Sequence, residues 1–132
     1  MTDQTTPGVA GAIELTLPPD SRLLRVARLV ASGVATTAGF DVEELEDLRI
    51  AVDELCAALL EGGSGGALSL TFELGPLAVS VLGSTPVDGT VELEPDRLGL
   101  SRQILKVVVD EYEIAEAGGE LRVRLSKRRG DG

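Results

Sequence analysis

The sequence predicts an α+β domain, a two-layer α/β sandwich in which three helices cover one face of a mostly antiparallel sheet. Three observations lead to this prediction. The 132 residues suffice for one domain with a single core. The predicted elements follow the order β-α-α-β-β-α-β-β, and each predicted strand is apolar on one face only. Such strands need a helical layer on their apolar face, while their other face can meet solvent.

The first quarter of the chain predicts one strand and one helix. Apolar and polar residues alternate in residues 12–17, which is the period of a strand with one buried face. Two prolines end this strand, and Asp20 or Ser21 can accept hydrogen bonds from the free N–H groups that open the next helix. Apolar residues then recur at spacings of three and four until Gly39 ends the helix.

A second helix is predicted for residues 41–61, which read DVEELEDLRIAVDELCAALLE. Asp41 and Glu44 form the pattern of a capping box. The helix also carries a continuous apolar stripe, formed by Leu45, Leu48, Val52, Leu55 and Leu59. The glycine-rich run at residues 62–66 ends the helix, because glycine adopts the left-handed cap conformation without strain.

The next segment predicts a hairpin. Apolar residues alternate in residues 68–74 and again in residues 77–81, on either side of Gly75 and Pro76. An irregular connection is expected from Gly83 to Pro95. The two strands of this hairpin are therefore expected to be neighbours in the sheet.

The last segment predicts a helix and a second hairpin. Residues 96–109 are ambiguous, since three consecutive valines favour a strand while the spacing of the apolar residues fits a helix; we predict a helix. Residues 111–115 and 121–125 alternate again and are joined across two glycines. A basic tail, Lys127-Arg128-Arg129, follows.

The composition excludes several kinds of chemistry. The chain has no histidine and a single cysteine, Cys56, which excludes an intrachain disulfide, a Cys/His zinc site and catalysis by histidine. Cys56 lies beside the apolar stripe of the second helix and is predicted to be a small buried hydrophobic residue. Redox control through an intermolecular disulfide is the alternative.

Charge and hydropathy limit the partners. A net charge of -10 and an aromatic content of 2% predict no direct binding of nucleic acid, because the charge repels phosphates and few rings can stack on bases. The acidity favours a basic partner surface, or it serves solubility alone. No apolar run approaches the roughly 20 residues that cross a bilayer. The N-terminal residues also lack a signal-peptide core, so we expect a cytoplasmic protein without membrane contact.

The second helix, with LRIAVDELCAAL at residues 48–59, and the order of elements resemble the anti-sigma factors of the RsbW/SpoIIAB type, which have the GHKL (Bergerat) ATPase fold. The mycobacterial UsfX-like group is similar in the same segment. The resemblance covers about residues 13–125 by pattern, and the second helix is its specific part. It implies a flexible segment at 1–11, one GHKL-like anti-sigma domain at 12–126 and the basic tail at 127–132.

The family's catalytic pair is incomplete in this sequence. In the family, a Glu on the second helix activates the attacking hydroxyl, and an Asn four residues later holds Mg²⁺ on the ATP phosphates. Glu54 matches the Glu, but Ala58 stands in place of the Asn and has no oxygen for a hard cation. Glu54 is therefore interpreted as a vestigial catalytic base, and a solvated helix carboxylate is the alternative.

Two further nucleotide motifs of the family are also incomplete. Val81 stands in place of the Asp that accepts a hydrogen bond from adenine, and Gly83 is what remains of the glycines that follow. Of the Gly-x-Gly before the last helix only Gly99 is present. Gly83 and Gly99 are therefore interpreted as vestigial cofactor-binding positions. We expect no bound metal and no cofactor; weak binding of ATP and Mg²⁺ in another pose is the alternative.

Three arginines of the first helix, Arg22, Arg25 and Arg28, lie close to one side at helical spacing. The resemblance implies that this helix grips the sigma factor, and Arg25 matches the arginine that contacts both sigma factor and antagonist. A planar guanidinium suits an interface because it can pair with a carboxylate at two points. The alternative is that these are ordinary solvated side chains, above all Arg22 and Arg28.

The leading hypothesis is an anti-sigma factor that sequesters an alternative sigma factor and is released by an antagonist with a STAS domain. The rival is an active serine/threonine kinase that phosphorylates the antagonist, with Glu54 as its base. A third hypothesis is a ligand sensor or scaffold that kept only the fold. The resemblance also implies a homodimer formed through the sheet side.

Overall fold

In the part of the chain that the computed structural model describes, residues 10–88 and 95–130, five strands form one sheet. Side chains are described for all of these residues except 95–98. The strands are β1 Gly11–Leu17, β2 Leu68–Leu74, β3 Ala78–Pro86, β4 Glu111–Ala117 and β5 Glu120–Arg128. The helices are α1 Leu24–Thr37, α2 Val42–Gly62 and α3 Pro95–Val108, and a short 3₁₀ turn at Ser21–Leu23 leads into α1.

The predicted α+β architecture is confirmed. The strands follow the order β1-β2-β3-β5-β4 across the sheet, and all neighbouring strands are antiparallel. α3 connects β3 to β4, and the chain then returns as β5 between these two strands. The ambiguous segment that contains the three valines is therefore a helix, as predicted.

The core lies between the sheet and the helices, with α2 at its centre. The largest fully buried side chains of β2 and α2 are Leu68, Leu70, Phe72, Leu48, Leu55 and Leu59. Full burial of one such side chain stabilises the fold by roughly 1.5–3 kcal/mol. The apolar stripe predicted on the second helix therefore faces the core, and only its first residue, Leu45, is half-buried.

The N-terminus of α2 is fixed from two sides. The predicted capping box is present, because Asp41 accepts a hydrogen bond from the Glu44 N–H and Glu44 accepts one from the Asp41 N–H, both at 2.8 Å. The second oxygen of Glu44 accepts a hydrogen bond from the Gly130 N–H. Lys127, whose side chain is 14% exposed, pairs with Asp47 on α2 at 3.1 Å.

The main differences between the predicted and the observed boundaries lie in β5, β3 and β1. The tail was expected from residue 127, but β5 continues through Arg128, because this strand pairs with β3 along its whole length. β3 likewise continues through Gly83 to Pro86, where an irregular connection was expected. Gly11, assigned to the flexible segment, is the first residue of β1. Residues 1–9 and 131–132 of the predicted terminal segments, and 89–94 of the predicted connection, lie outside the described residues.

Candidate functional site

Glu54 lies on the side of α2 that faces α3. Ser101 of α3, which is 3% exposed, donates a hydrogen bond from its hydroxyl to Glu54 Oε1 at 2.8 Å. Ala58, one turn further along α2, is half-buried and packs against the core. The carboxylate of Glu54 is thus held by a neighbouring helix, and the side chain four residues later contributes no oxygen.

Sequence reasoning missed Ser101. Its signal was present, since a serine occupies an inward position of α3 at helical spacing from Leu105 and Val108, which are both buried. A polar side chain on a buried face needs a hydrogen-bond partner. That pattern predicts a hydrogen-bond partner on a neighbouring element, but it does not identify this partner as Glu54.

Gly83 has a packing role that its position in β3 explains. A Cβ atom at this residue would lie 2.5 Å from Leu55 Cδ2 and 2.9 Å from Leu59 Cδ1. The glycine therefore lets α2 lie close to the sheet. Val81, two residues earlier on the same face of β3, is fully buried, so its side chain adds to the core and offers no acceptor.

Gly99 lies in α3, two residues before Ser101, and is exposed. A Cβ atom there would meet nothing within 4 Å. Its φ is not in the left-handed region. Nothing among the described residues therefore requires glycine at this position, in contrast to Gly83.

Two of the three predicted arginines line one cleft between α1 and α2. This arginine cleft has a volume of about 380 Å³ and is lined by Arg25, Arg28, Leu29, Ser32 and Arg49. Arg49, on α2, was not among the predicted partner-binding residues. Its contribution depends on how α2 packs beside α1, which the residue pattern does not specify.

The arginines of the cleft differ in their ion pairs. Arg28 Nε donates to Asp53 Oδ1 at 2.6 Å, and Arg49 Nη1 donates to Glu46 Oε2 at 2.9 Å. Arg25 is exposed and forms no ion pair with any other residue that the structure describes. It is therefore free to pair with a group from outside the chain.

Arg22 does not line the cleft. It lies in the 3₁₀ turn before α1, where its guanidinium pairs with Asp20 at 2.7 Å. This hydrogen bond lowers the pKa of Asp20, and the Arg22 backbone N–H donates to the same carboxylate. The role of Arg22 in the structure is thus to hold the residue that caps the turn.

Cys56 is fully buried on α2. Burial raises the pKa of its thiol to about 12, and the neighbouring Asp53 adds to the rise. A thiol that stays protonated and has no exposed surface reacts slowly with oxidants and disulfides. The predicted role as a small buried hydrophobic residue agrees with this environment, and the redox alternative has no structural support.

The outer face of the sheet carries no helix among the described residues. It forms a shallow concave surface of about 420 Å³ with mostly polar, charged and small side chains, among them Thr71, Glu73, Ser80, Glu113, Ala115, Arg122 and Arg124. Leu82, at the middle of β3, is its large apolar residue and is 42% exposed. We call this surface the open sheet face.

None of the helices within the described residues combines the length and the apolar character that a membrane span requires. No family model matches the sequence. Several curated proteins do. The chain is 26% identical over 125 residues to the serine-protein kinase RsbW of Halalkalibacterium halodurans. This alignment covers 81% of this chain and 77% of that protein.

Two shorter matches are closer in sequence. The chain is 43% identical over 67 residues to RsbW of Bacillus subtilis and 46% identical over 66 residues to RsbW of Bacillus pumilus. These alignments cover 48% and 46% of this chain, and the chain spans only 42% and 41% of the two proteins.

One solved structure has the same fold. The RsbU and RsbW domains of Rv1364c from Mycobacterium tuberculosis match with a TM-score of 0.71 over 89% of this chain and 32% of that chain. The sequence identity of this match is 16%, so it bears on the fold alone.

Proposed function

We propose that this chain, which is an RsbW-type protein with the GHKL fold, is an anti-sigma factor that sequesters an alternative sigma factor by protein contact. An antagonist with a STAS domain would release the sigma factor by competing for the same surface. The proposal rests on homology to RsbW along 125 residues. It places the protein in the cytoplasm, where a sigma factor meets RNA polymerase.

Sequestration without phosphoryl transfer is favoured by Ala58. Phosphoryl transfer depends on Mg²⁺ to neutralise charge on the phosphates, and Mg²⁺ needs oxygen ligands. Ala58 supplies none at the position where the family has its Asn. Val81 likewise supplies no acceptor for adenine, because its side chain is apolar and buried.

Purification of the chain with its native partners tests the sequestration proposal. A sigma subunit should be recovered in a stoichiometric complex and should exclude core RNA polymerase. Recovery of partners without any sigma subunit would contradict the proposal. Recovery of no partner at all would favour the third hypothesis, a sensor or scaffold.

A kinase remains the second candidate, because Glu54 is present and a buried hydroxyl holds its carboxylate. The curated relatives are also named serine-protein kinases. Incubation with labelled ATP, Mg²⁺ and the antagonist separates the two candidates. Sequestration alone predicts no labelled antagonist, whereas a kinase transfers label and loses this activity in Glu54→Gln.

We also propose that two copies associate through the open sheet face. This face is the side of the sheet away from the helices, and Leu82 lies near its centre. Leu82→Glu should then shift the protein to a monomer in sedimentation equilibrium. A Leu77→Glu variant, which adds the same charge at an exposed turn residue, should not.

A further inference from the structure

We infer that the arginine cleft binds an acidic protein segment, with Arg25 of α1 and Arg49 of α2 sharing one carboxylate and Leu29 contacting an adjacent apolar side chain. The inference rests on the proposed function only for the identity of the natural partner. It extends the partner-binding surface from α1 onto α2. Arg49 is its new residue, because the predicted partner-binding residues all belong to the first helix.

The charge of the cleft differs from the charge of the chain. The protein carries a net charge of -10, which favours basic partner surfaces. The described residues that line the cleft include three arginines and no carboxylate. Since two of these arginines already have an acidic partner outside the lining, Arg25 supplies the uncompensated charge. Locally, therefore, the complementary ligand is an anion.

Arg49 has an unsatisfied donor. Its Nη1 bonds to Glu46, while its Nε is buried and has no hydrogen-bond partner among the described residues. A buried N–H without an acceptor is unfavourable, so the site gains from an acceptor brought by a ligand. The Nε side of a guanidinium is also the side that a carboxylate engages with two parallel hydrogen bonds. Reaching it requires a small side-chain movement that uncovers Nε.

Leu29 determines which kind of anion fits best. It lines the cleft beside the arginines and is 69% exposed, so its burial by a partner would be favourable. A free phosphate or a nucleic-acid backbone has no apolar group for it, and the overall charge repels nucleic acid. An Asp or Glu next to a Leu or Ile on a protein segment satisfies both the arginines and Leu29.

The probe is a 15N-labelled sample of the full chain titrated with a synthetic helical peptide that carries Asp and Glu beside Leu. The Nε–H signals of Arg25 and Arg49 and the amide of Leu29 should shift together with one dissociation constant. Peptides with Asn and Gln for the acids, or with Ala for Leu, should bind at least tenfold more weakly.

Variants test the assigned residues. Arg25→Gln and Arg49→Gln should each weaken peptide binding by about tenfold or more, and Arg49→Lys should also weaken it because lysine lacks the planar fork. Arg102→Gln, which removes the same charge from an exposed residue of α3 outside both the cleft and the open sheet face, should change the affinity less than twofold. Circular dichroism and thermal unfolding establish that each variant is folded.

Three outcomes would overturn the inference: equal affinity of the Arg49 variants and the unaltered chain, signal shifts outside the cleft, or tighter binding of inorganic phosphate or a DNA duplex than of the peptide. Each is distinct from failure of the proposed function. If the peptide binds in the cleft but no sigma subunit is captured, the proposed function fails and the cleft assignment stands.

Discussion

The two sides of α2 have opposite hydrogen-bonding states. Toward α3, Glu54 is satisfied by Ser101, and Ala58 and Val81 offer no polar group. Toward α1, Arg25 has no ion pair among the described residues, and a buried donor of Arg49 has no acceptor. A satisfied polar group stabilises its own fold, whereas an unsatisfied one gains from a ligand. The comparison is consistent with the proposal that partners bind on the α1 side, because the polar groups on the α3 side are already used within the fold.

The largest expected effect concerns Gly83 of β3, which lies against α2 on the side of that helix that faces the sheet. Gly83→Val should lower the free energy of unfolding by about 3 kcal/mol, because its side chain would overlap Leu55 and Leu59. Urea denaturation measures the change. Gly99→Ala is the matched control and should be neutral or stabilising by up to about 1 kcal/mol, since α3 has open space there. Equal effects of the two substitutions would remove the structural interpretation of Gly83.

The second prediction concerns the free arginine on the other side. Arg25→Glu should weaken capture of the sigma subunit by roughly 100-fold, because reversing an interface charge both removes a pair and adds repulsion. Surface plasmon resonance with the purified sigma subunit measures the loss. Arg22→Glu should weaken capture less than threefold, since Arg22 lies outside the cleft and pairs with Asp20. Normal capture by Arg25→Glu would refute the interface while leaving the fold family unchanged.

These two predictions also indicate what sequence alone provides. The periodicity of single elements was enough to predict the helices, the capping box of α2 and the antiparallel hairpins, because these depend on neighbours within a few residues. The end of β3 was predicted too early, because a glycine such as Gly83 is typical of the end of a strand. The packing role of Gly83 depends on its contact with α2, more than twenty residues earlier in the chain.

The candidate site was predicted only in part for the same reason. Arg25 and Arg28 were identified from their spacing on one helix, and both line the cleft. Arg49 and Ser101 were missed because each acquires its role from a partner on another helix. Arg22 was grouped with the other arginines, although Asp20, two residues before it, binds it locally.

A smaller effect is expected at Ser101. Ser101→Ala should lower the free energy of unfolding by about 1–2 kcal/mol, because it removes a partner of the half-buried Glu54 carboxylate. Capture of the sigma subunit should stay within twofold of that of the unaltered chain. The double variant Ser101→Ala, Glu54→Gln should recover part of the lost stability, since it removes the unpaired charge. A large loss of capture in Ser101→Ala would mean that the α3 side also contributes to recognition.

The smallest effect is expected for the exposed pair of Asp20 and Arg22, and its pH dependence separates it from the cleft. Because the Arg22 guanidinium lowers the pKa of Asp20, the unfolded state binds more protons in the acid range. The pair therefore stabilises the fold above the ordinary Asp pKa of about 3.9, and this contribution is lost as the pH falls through the lowered value. Arg22→Gln should thus lower the unfolding temperature slightly at about pH 7, and this difference should become smaller at about pH 2, below the ordinary Asp pKa. Thermal unfolding followed by circular dichroism at both pH values measures this difference.

An Arg25→Gln control should show no such pH dependence, because Arg25 pairs with no described carboxylate. If Arg25→Gln lost stability in the same way, Arg25 would be satisfied within the chain, and the contrast between the two sides of α2 would fail.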